Sequence, residues 1–265
     1  MEKYKKIDKT FPLAESLIAE LEDVPANKVK YLWRCGKEAI EIGDMKKGKE
    51  YLKECIKECE RVRKEWVEVS LPIFKDIVEK EKNEEAEKFL NIAIKGIEEN
   101  NYKDAYSAIK EGLAVIKEEG FIEALDAFQI FYFSIDGGIR MHIDDTVIAK
   151  AKEVIERSKE KFKDGKYEEV MGIIGEGSDE LDKSKMDKTL EIAEELQSLL
   201  TEAEKSKRKM DKFEEELSST LALFDAGDYE LSFYFGEELI RDIKETNEKF
   251  RTLSERMDEV KKEIE

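Results

Sequence analysis

The amino-acid sequence predicts an all-α protein: an array of antiparallel helical hairpins with a long antiparallel coiled-coil hairpin at its C-terminal end. The first observation is composition, because 42% of the 265 residues are charged while only three are proline and fourteen glycine. This balance is typical of long helices with charged surfaces and is hard to reconcile with a strand-rich fold. The other two observations are apolar residues at helical spacing and one kind of turn that recurs along the chain.

The recurring turn is a short joint between two helical runs. In each copy, a Gly or Asn ends one helix, as a residue in the left-handed conformation does, and a Tyr or Met opens the next helix. The joints are Ile42–Met45, Asn100–Lys103, Asp164–Tyr167 and Ala226–Tyr229. Three positions after the Tyr or Met stands a small residue, Gly48, Ala105 or Ser232, with Val170 as the larger exception. The small side chain is expected to let the two helices approach closely.

The copies Asn101–Ala105 and Gly165–Val170 resemble the central turn of tetratricopeptide repeats, which reads glycine, polar, tyrosine, two polar residues, alanine. The resemblance covers four short windows, and the joints recur at intervals of about sixty residues, against roughly 34 in that family. It implies a stacked helical scaffold. It carries over none of that family's peptide-binding residues.

The N-terminal helices follow from capping signals and apolar spacing. A helix is expected to start at Thr10, because a hydroxyl caps free amides. Apolar residues three and four apart from Asn27 to Ile40 predict a second helix, which ends at Gly43. A third helix starts near Met45. Pro72 has no amide proton, so that helix is expected either to kink there or to give way to a new one.

The middle of the chain contains the clearest hairpin and the least polar helix. Stripes over residues 86–97 and 105–116 predict two helices around the Asn100 turn. The segment Phe121–Phe133 is apolar around most of a helix and is therefore predicted to be the most buried. Asp136–Gly138 is expected to end it. Two adjacent glycines and the polar residues that follow them place the domain border at 137–146, which separates a packed hairpin domain, 1–140, from a helical region, 141–265.

The C-terminal region carries the longest helical pattern. Two runs of about 36 to 40 residues flank Gly227, and the second keeps an unbroken three-and-four spacing from Tyr229 to Ile264. This heptad pattern predicts an antiparallel coiled coil over residues 186–265. In that pairing, Lys207 is expected to face Asn247 and Glu248 in a polar layer.

Candidate metal and catalytic residues are few. Cys35, Cys55 and Cys59 lie on neighbouring predicted helices, but a fourth ligand is lacking, so they are interpreted as core residues. The one histidine, His142, has no nucleophile or carboxylate pair around it and is interpreted as a loop residue. We therefore predict no metal, no cofactor and no catalytic residue.

Two glycine-rich or basic segments have plain structural interpretations. The glycines of 172–177 lack the preceding strand and the Lys-Ser/Thr ending of a phosphate loop, which favours helix contacts or an interrupted helix. Acidic residues flank the basic run 205–210, which favours a solvated face over a nucleic-acid patch.

Charge and hydropathy limit the partners. With 65 acidic and 47 basic residues the net charge is −18, which repels nucleic acid and anionic lipid. No window resembles a signal peptide or a membrane span, and an odd number of cysteines suits a reducing compartment, so a cytoplasmic protein is expected.

These features together favour a non-enzymatic helical-repeat scaffold or adaptor that binds a protein partner or self-associates. The aromatic residues around the last joint exceed what a two-helix seam buries, which makes them the candidate interaction surface: Phe224, Tyr229, Phe233, Tyr234 and Phe235. Either the rest of the chain or another protein covers their excess surface, and burial within the chain itself is the favoured interpretation. A second hypothesis is a ligand-binding or enzymatic helical domain with an apolar, aromatic site near residues 121–133. An acidic nucleic-acid mimic is a third, resting on charge alone.

Overall fold

A computed structural model describes residues 9–22, 24, 26–205 and 211–264 of the chain. Every regular element in these ranges is an α-helix, which confirms the predicted fold class. None of the described helices is both long enough and apolar enough to cross a membrane. In chain order the helices are α1 (Thr10–Glu20), α2 (Asn27–Glu41), α3 (Met45–Glu81), α4 (Glu84–Glu98), α5 (Tyr102–Leu113), α6 (Phe121–Arg140), α7 (Asp145–Lys163), α8 (Tyr167–Lys205), α9 (Asp211–Asp225) and α10 (Tyr229–Ile264).

The chain divides into two compact units, Met1–Leu181 and Asp182–Glu265, and the division falls within α8. This division is based on which helices pack together. It does not test whether separately folding domains meet at residues 137–146, so that border stays a prediction.

The first unit is built around α3, which packs against α1, α2, α4, α5, α6 and α7. A helix of 37 residues reaches so many neighbours because its apolar positions continue along its whole length. It does not end at Pro72. Ile73 and Phe74, directly beyond the proline, are buried, and this tertiary packing sustains the helix despite the missing hydrogen bond.

The predicted joints have one common geometry. The residue that ends each helix has φ between +56° and +95°, at Gly43, Asn100, Gly165 and Gly227. The next amide donates to the carbonyl five residues earlier, at 2.7 to 3.0 Å, in the pairs Asp44 to Ala39, Asn101 to Gly96, Lys166 to Lys161 and Asp228 to Leu223. These bonds satisfy carbonyls that the helix end leaves open.

The small residues after the joints lie at close helix contacts, as their position predicts. A Cβ at Gly48 would lie 2.7 Å from Ile40 Cγ1, so α2 and α3 meet there without room for a side chain. Ala105 approaches Gly96 in the same way between α4 and α5. Ser232 Oγ donates to the Thr220 carbonyl at 2.9 Å between α9 and α10.

Asp136–Gly138 does not break α6, contrary to the sequence-based expectation. The helix continues to Arg140, and Gly138 is a packing position: a Cβ there would lie 3.1 Å from both Ile148 Cδ1 and Leu181 Cδ1. The glycine pair signals a close approach of helices rather than a helix end, a distinction that depends on the neighbours in space.

The joint between α6 and α7 has the same geometry as the four predicted ones, although its sequence hides it. His142 has φ +56°, and the Ile143 amide donates to the Gly138 carbonyl at 3.1 Å. Asp144 then caps α7 by accepting from the Thr146 amide at 2.8 Å. Gly and Asn are the usual residues at such a turn, so a search for a Gly-or-Asn pattern does not reveal this joint.

In the second unit, α9 and α10 form the predicted antiparallel hairpin around Gly227. The preceding helix does not extend that hairpin. In its second-unit part, α8 lies parallel to α10: Thr189 Oγ1 donates to the Tyr229 carbonyl at 3.2 Å, and Lys244 Nζ lies 2.6 Å from Glu195 Oε1. In a continuous antiparallel coiled coil over 186–265, residues near 190 would instead face the far end of α10.

The heptad pattern therefore predicts correctly which face of α10 packs against other helices, but it does not predict which helix covers that face. Gly236, a seam position of α10, accommodates Ile192 of α8, since a Cβ at Gly236 would lie 2.4 Å from Ile192 Cγ2. Leu239 and Ile243, further along the seam, are buried. Lys207 lies outside the described residues, so the predicted polar layer with Asn247 and Glu248 stays a prediction.

Candidate functional site

An apolar groove lies between α5 and α6 in the first unit. Its volume is about 530 Å³, within the usual range of roughly 300–1,000 Å³ for binding pockets. The groove lies where the chain leaves α5, passes through residues 114–120 and enters α6 at Gly120, which has φ +74°. The lining residues are Val24, Trp66, Tyr106, Lys110, Leu113, Ala114, Ile116, Ile122, Leu125, Asp126, Gln129 and Ile130.

Aromatic and amide side chains hold the groove lining in place. The rings of Trp66 and Tyr106 meet edge to face, with centroids 4.6 Å apart. The Tyr106 hydroxyl donates to the Glu20 carbonyl at 3.0 Å, which ties α5 to α1. Gln129 Nε2 donates to Ser70 Oγ at 2.8 Å. These contacts hold the side chains of the lining in place within the folded chain.

Gln129 also contributes a polar group to the groove. The residue is 8% exposed, and no described residue donates a hydrogen bond to its Oε1 atom. This oxygen is therefore an acceptor within the groove lining.

The rim of the groove combines an exposed apolar side chain with charges of both signs. Ile130 is 54% exposed on α6. Lys110 on α5 and Asp126 on α6 are exposed, and Lys110 Nζ lies 5.7 Å from the centroid of the Tyr106 ring. The groove thus has an apolar floor with one cation and one anion on opposite walls.

Burial and thiol hydrogen bonding distinguish the cysteines from a metal site. All three are buried, and Cys55 Sγ donates to the Val29 carbonyl at 3.7 Å. Its hydrogen bond with Cys59 and its burial raise the pKa of the Cys55 thiol, so it stays protonated. Within the described ranges, no group of three or more His, Cys, Asp or Glu side chains is arranged to hold a metal ion.

The remaining sequence candidates fall at separate places. His142 is an exposed joint residue. The glycines of 172–177 lie inside α8, where only Gly177 meets another helix closely: a Cβ there would lie 2.9 Å from Phe131 Cζ. Of the basic run, residues 206–210 lie outside the described residues.

The five aromatic residues predicted as an interaction surface differ in exposure. Phe233 and Tyr234 are buried, with 4% and 7% of their surface exposed. Phe224, Tyr229 and Phe235 are partly buried, and the rings of Phe224 and Tyr229 lie 5.5 Å apart. The folded chain therefore covers part of this group itself, and its role in binding stays a prediction.

Comparison with known proteins gives no independent identification, because no family model, curated protein or solved structure matches the chain. The described part of the chain is all-α, and its packed helices are compatible with a helical repeat.

The sequence indicated one wall of the groove, helix α6, but not the other. The apolar density of residues 121–133 pointed to α6. The other wall was missed, because Tyr106, Lys110 and Leu113 are ordinary residues of an amphipathic helix. A signal was present in the sequence: the spacing of these three residues adds a second stripe to α5, next to the one that packs on α3.

Proposed function

We propose that this chain is a non-enzymatic helical-repeat scaffold, related in its joints to tetratricopeptide-like hairpins, that binds a protein partner through the groove between α5 and α6. The observation that carries the proposal is the groove itself, a concave apolar surface with Ile130 exposed at its edge. Apolar surface of this kind, rimmed by polar residues, is characteristic of interaction sites.

The surrounding scaffold suits this role. Packed hairpins hold the groove walls rigidly, because α5 is fixed to α4 through the Ala105–Gly96 contact and to α3 through Phe74. The large excess of acidic residues favours protein partners over nucleic acid.

A quantitative affinity experiment with matched variants tests the proposal. The full chain is immobilised in three forms: wild type, Ile130→Glu and Ile92→Glu. Ile92 is the control because it is 50% exposed on α4 and does not line the groove. A protein partner that binds in the groove is expected to be retained by wild type and by Ile92→Glu, and not to be retained by Ile130→Glu. Equal retention by all three forms would contradict the groove as the binding site.

Ligand binding at the same groove is the second candidate function, favoured by the Gln129 amide oxygen in an apolar lining. A metabolite screen by thermal shift separates the two candidates, since a ligand at 100 times its Kd stabilises the folded state by about 2.7 kcal/mol. A hit abolished by Ile130→Glu supports this second candidate. Protein retention without any hit supports the scaffold.

A further inference from the structure

A buried ion pair joins α8 to α10 in the second unit. Lys185 Nζ donates a hydrogen bond to Glu230 Oε1, and the two residues are 4% and 7% exposed. Thr189, one turn further along α8, donates through its hydroxyl to the Tyr229 carbonyl at 3.2 Å. Both contacts lie at the first turn of α10, directly after the joint. Polar groups therefore hold α8 against the beginning of α10.

Further along, the buried part of this helix contact is apolar and repetitive. On α8, Ile192, Leu196 and Leu200 are buried. On α10, Leu239 and Ile243 are buried and follow the three-and-four spacing of the heptad pattern. A heptad pattern matches itself again after seven residues, so apolar contacts alone distinguish weakly between registers that differ by one heptad.

We propose that the Lys185–Glu230 pair determines the register in which α8 packs on α10. The proposal concerns the second unit and is independent of the groove between α5 and α6. Taking two charges out of water costs about as much as their attraction returns, so a buried ion pair is weak evidence for stability. The best-attested role of such a group is to select one register among several.

A shift by one heptad separates the two charges. Seven residues at about 1.5 Å each move Lys185 by roughly 10 Å along α10, out of reach of Glu230. In one direction of the shift, Ile192 takes the place of the lysine, and an apolar side chain then lies beside the buried carboxylate. A buried charge that loses its partner is strongly destabilising. Each shifted register carries this penalty, and the observed register avoids it.

The glycine at the same contact is a second, steric source of register, and the two sources can be separated. Gly236 leaves room for Ile192, because a Cβ there would lie 2.4 Å from Ile192 Cγ2. A shift by one heptad brings Ile192 opposite Ile243 instead. A variant that lacks the ion pair but keeps Gly236 therefore tests whether the steric fit is sufficient on its own.

Methyl NMR of Ile192 in the full chain reports the register without a substitution at the reporting contact. In wild type, its γ2 methyl group is expected to give one signal, with a nuclear Overhauser effect to the α protons of Gly236. In Lys185→Met/Glu230→Leu, the chain is expected to stay folded, but the signal is expected to split and to show a new effect to the methyl groups of Ile243. A single signal with an unchanged effect to Gly236 would overturn the proposal.

Lys188→Met/Glu191→Leu is the matched control. Lys188 Nζ lies 2.6 Å from Glu191 Oε2 in a solvent-accessible ion pair on α8, so this variant loses the same charges and is expected to keep one Ile192 signal. The reversed pair, Lys185→Glu/Glu230→Lys, keeps one charge of each sign at the contact and is also expected to keep one signal. Splitting in either variant would contradict the proposal. Failure of the apolar double variant to fold would contradict it too, since the pair would then be needed for stability.

Discussion

Replacing Gly112 by alanine tests how closely α5 is packed on α3. A Cβ built at Gly112 would lie 2.2 Å from Phe74 Cζ and 3.0 Å from both Cε atoms. Carbon atoms in contact prefer roughly 3.5–4.0 Å, so the ring or the helix has to move by about 1 Å. Phe74 is fully buried, so a movement of its ring displaces the side chains around it.

Two effects of opposite sign determine how Gly112→Ala changes the free energy of unfolding. Overpacking in a core costs about 1–3 kcal/mol, and the severity of this contact places Gly112→Ala near the upper value. Alanine in place of glycine inside a helix contributes about 1 kcal/mol in the stabilising direction. The clash wins, and the free energy of unfolding is expected to fall by about 2 kcal/mol.

Gly172→Ala is the matched control. Gly172 is exposed on α8 within the same compact unit, and beyond its own helical turn no described atom lies within 4 Å of a Cβ built there. With no clash, this variant is expected to be about 0.5–1 kcal/mol more stable than wild type. The two alanine substitutions are thus expected to change the free energy of unfolding in opposite directions, because only Gly112 lies in close contact with another helix.

Urea unfolding followed by tryptophan fluorescence measures both variants, because Trp33 and Trp66 both lie in the first unit. Trimming the ring in Gly112→Ala/Phe74→Leu is expected to show favourable coupling between the two sites. If Gly112→Ala proves as stable as Gly172→Ala, the close contact of α5 with α3 is refuted, and with it the position of the groove wall.

Three further predictions concern other parts of the chain. In the second unit, Lys185 and Glu230 form a buried ion pair between α8 and α10. Lys185→Met is expected to cost about 3 kcal/mol because it removes the positive charge that pairs with a buried carboxylate, whereas replacing both residues by apolar ones recovers most of that loss in chemical denaturation. Asn83 caps α4 by accepting from two amides and also donates to the Val115 carbonyl at 3.2 Å. Asn83→Ala is expected to destabilise by about 1 kcal/mol, and Asn83→Asp by less because the cap remains; equal losses in thermal melts would argue against the cap. The hydroxyl and amide of Thr146 lower the pKa of Asp144 from 3.8. The stability this carboxylate contributes is present above its unfolded pKa and is lost as pH falls through the lower folded value, and carbon-detected NMR titration of Thr146→Val is expected to show the pKa returning toward 3.8.

Local signals in the sequence were sufficient for the helices and most of the joints. A left-handed Gly or Asn, a following aromatic and a small residue three positions later all act within one turn of chain. Gly48, Ala105 and Ser232 therefore lie at close contacts where the pattern places them. Pairing between distant helices could not be predicted in this way.

The sequence-based predictions that were wrong all depend on contacts between helices that are distant in sequence. Gly138 has the signature of a helix end, and only the positions of Ile148 and Leu181 show that it is a contact. The apolar spacing along α10 is that of a long two-stranded coiled coil. Only the three-dimensional packing shows that α8 runs parallel to α10 and contacts this apolar face through Ile192. The groove was half predicted for the same reason, because one wall is unusual in sequence and the other is not.

Isoleucine methyl NMR of the full chain tests the central claim most directly. The partner retained on the wild-type column is added to isoleucine-labelled protein. We predict shifts at the methyl groups of Ile122 and Ile130, which line the groove, and none at Ile92 on α4. Shifts at Ile92 with unchanged groove methyls would show that the partner binds elsewhere and would contradict the groove as the binding site.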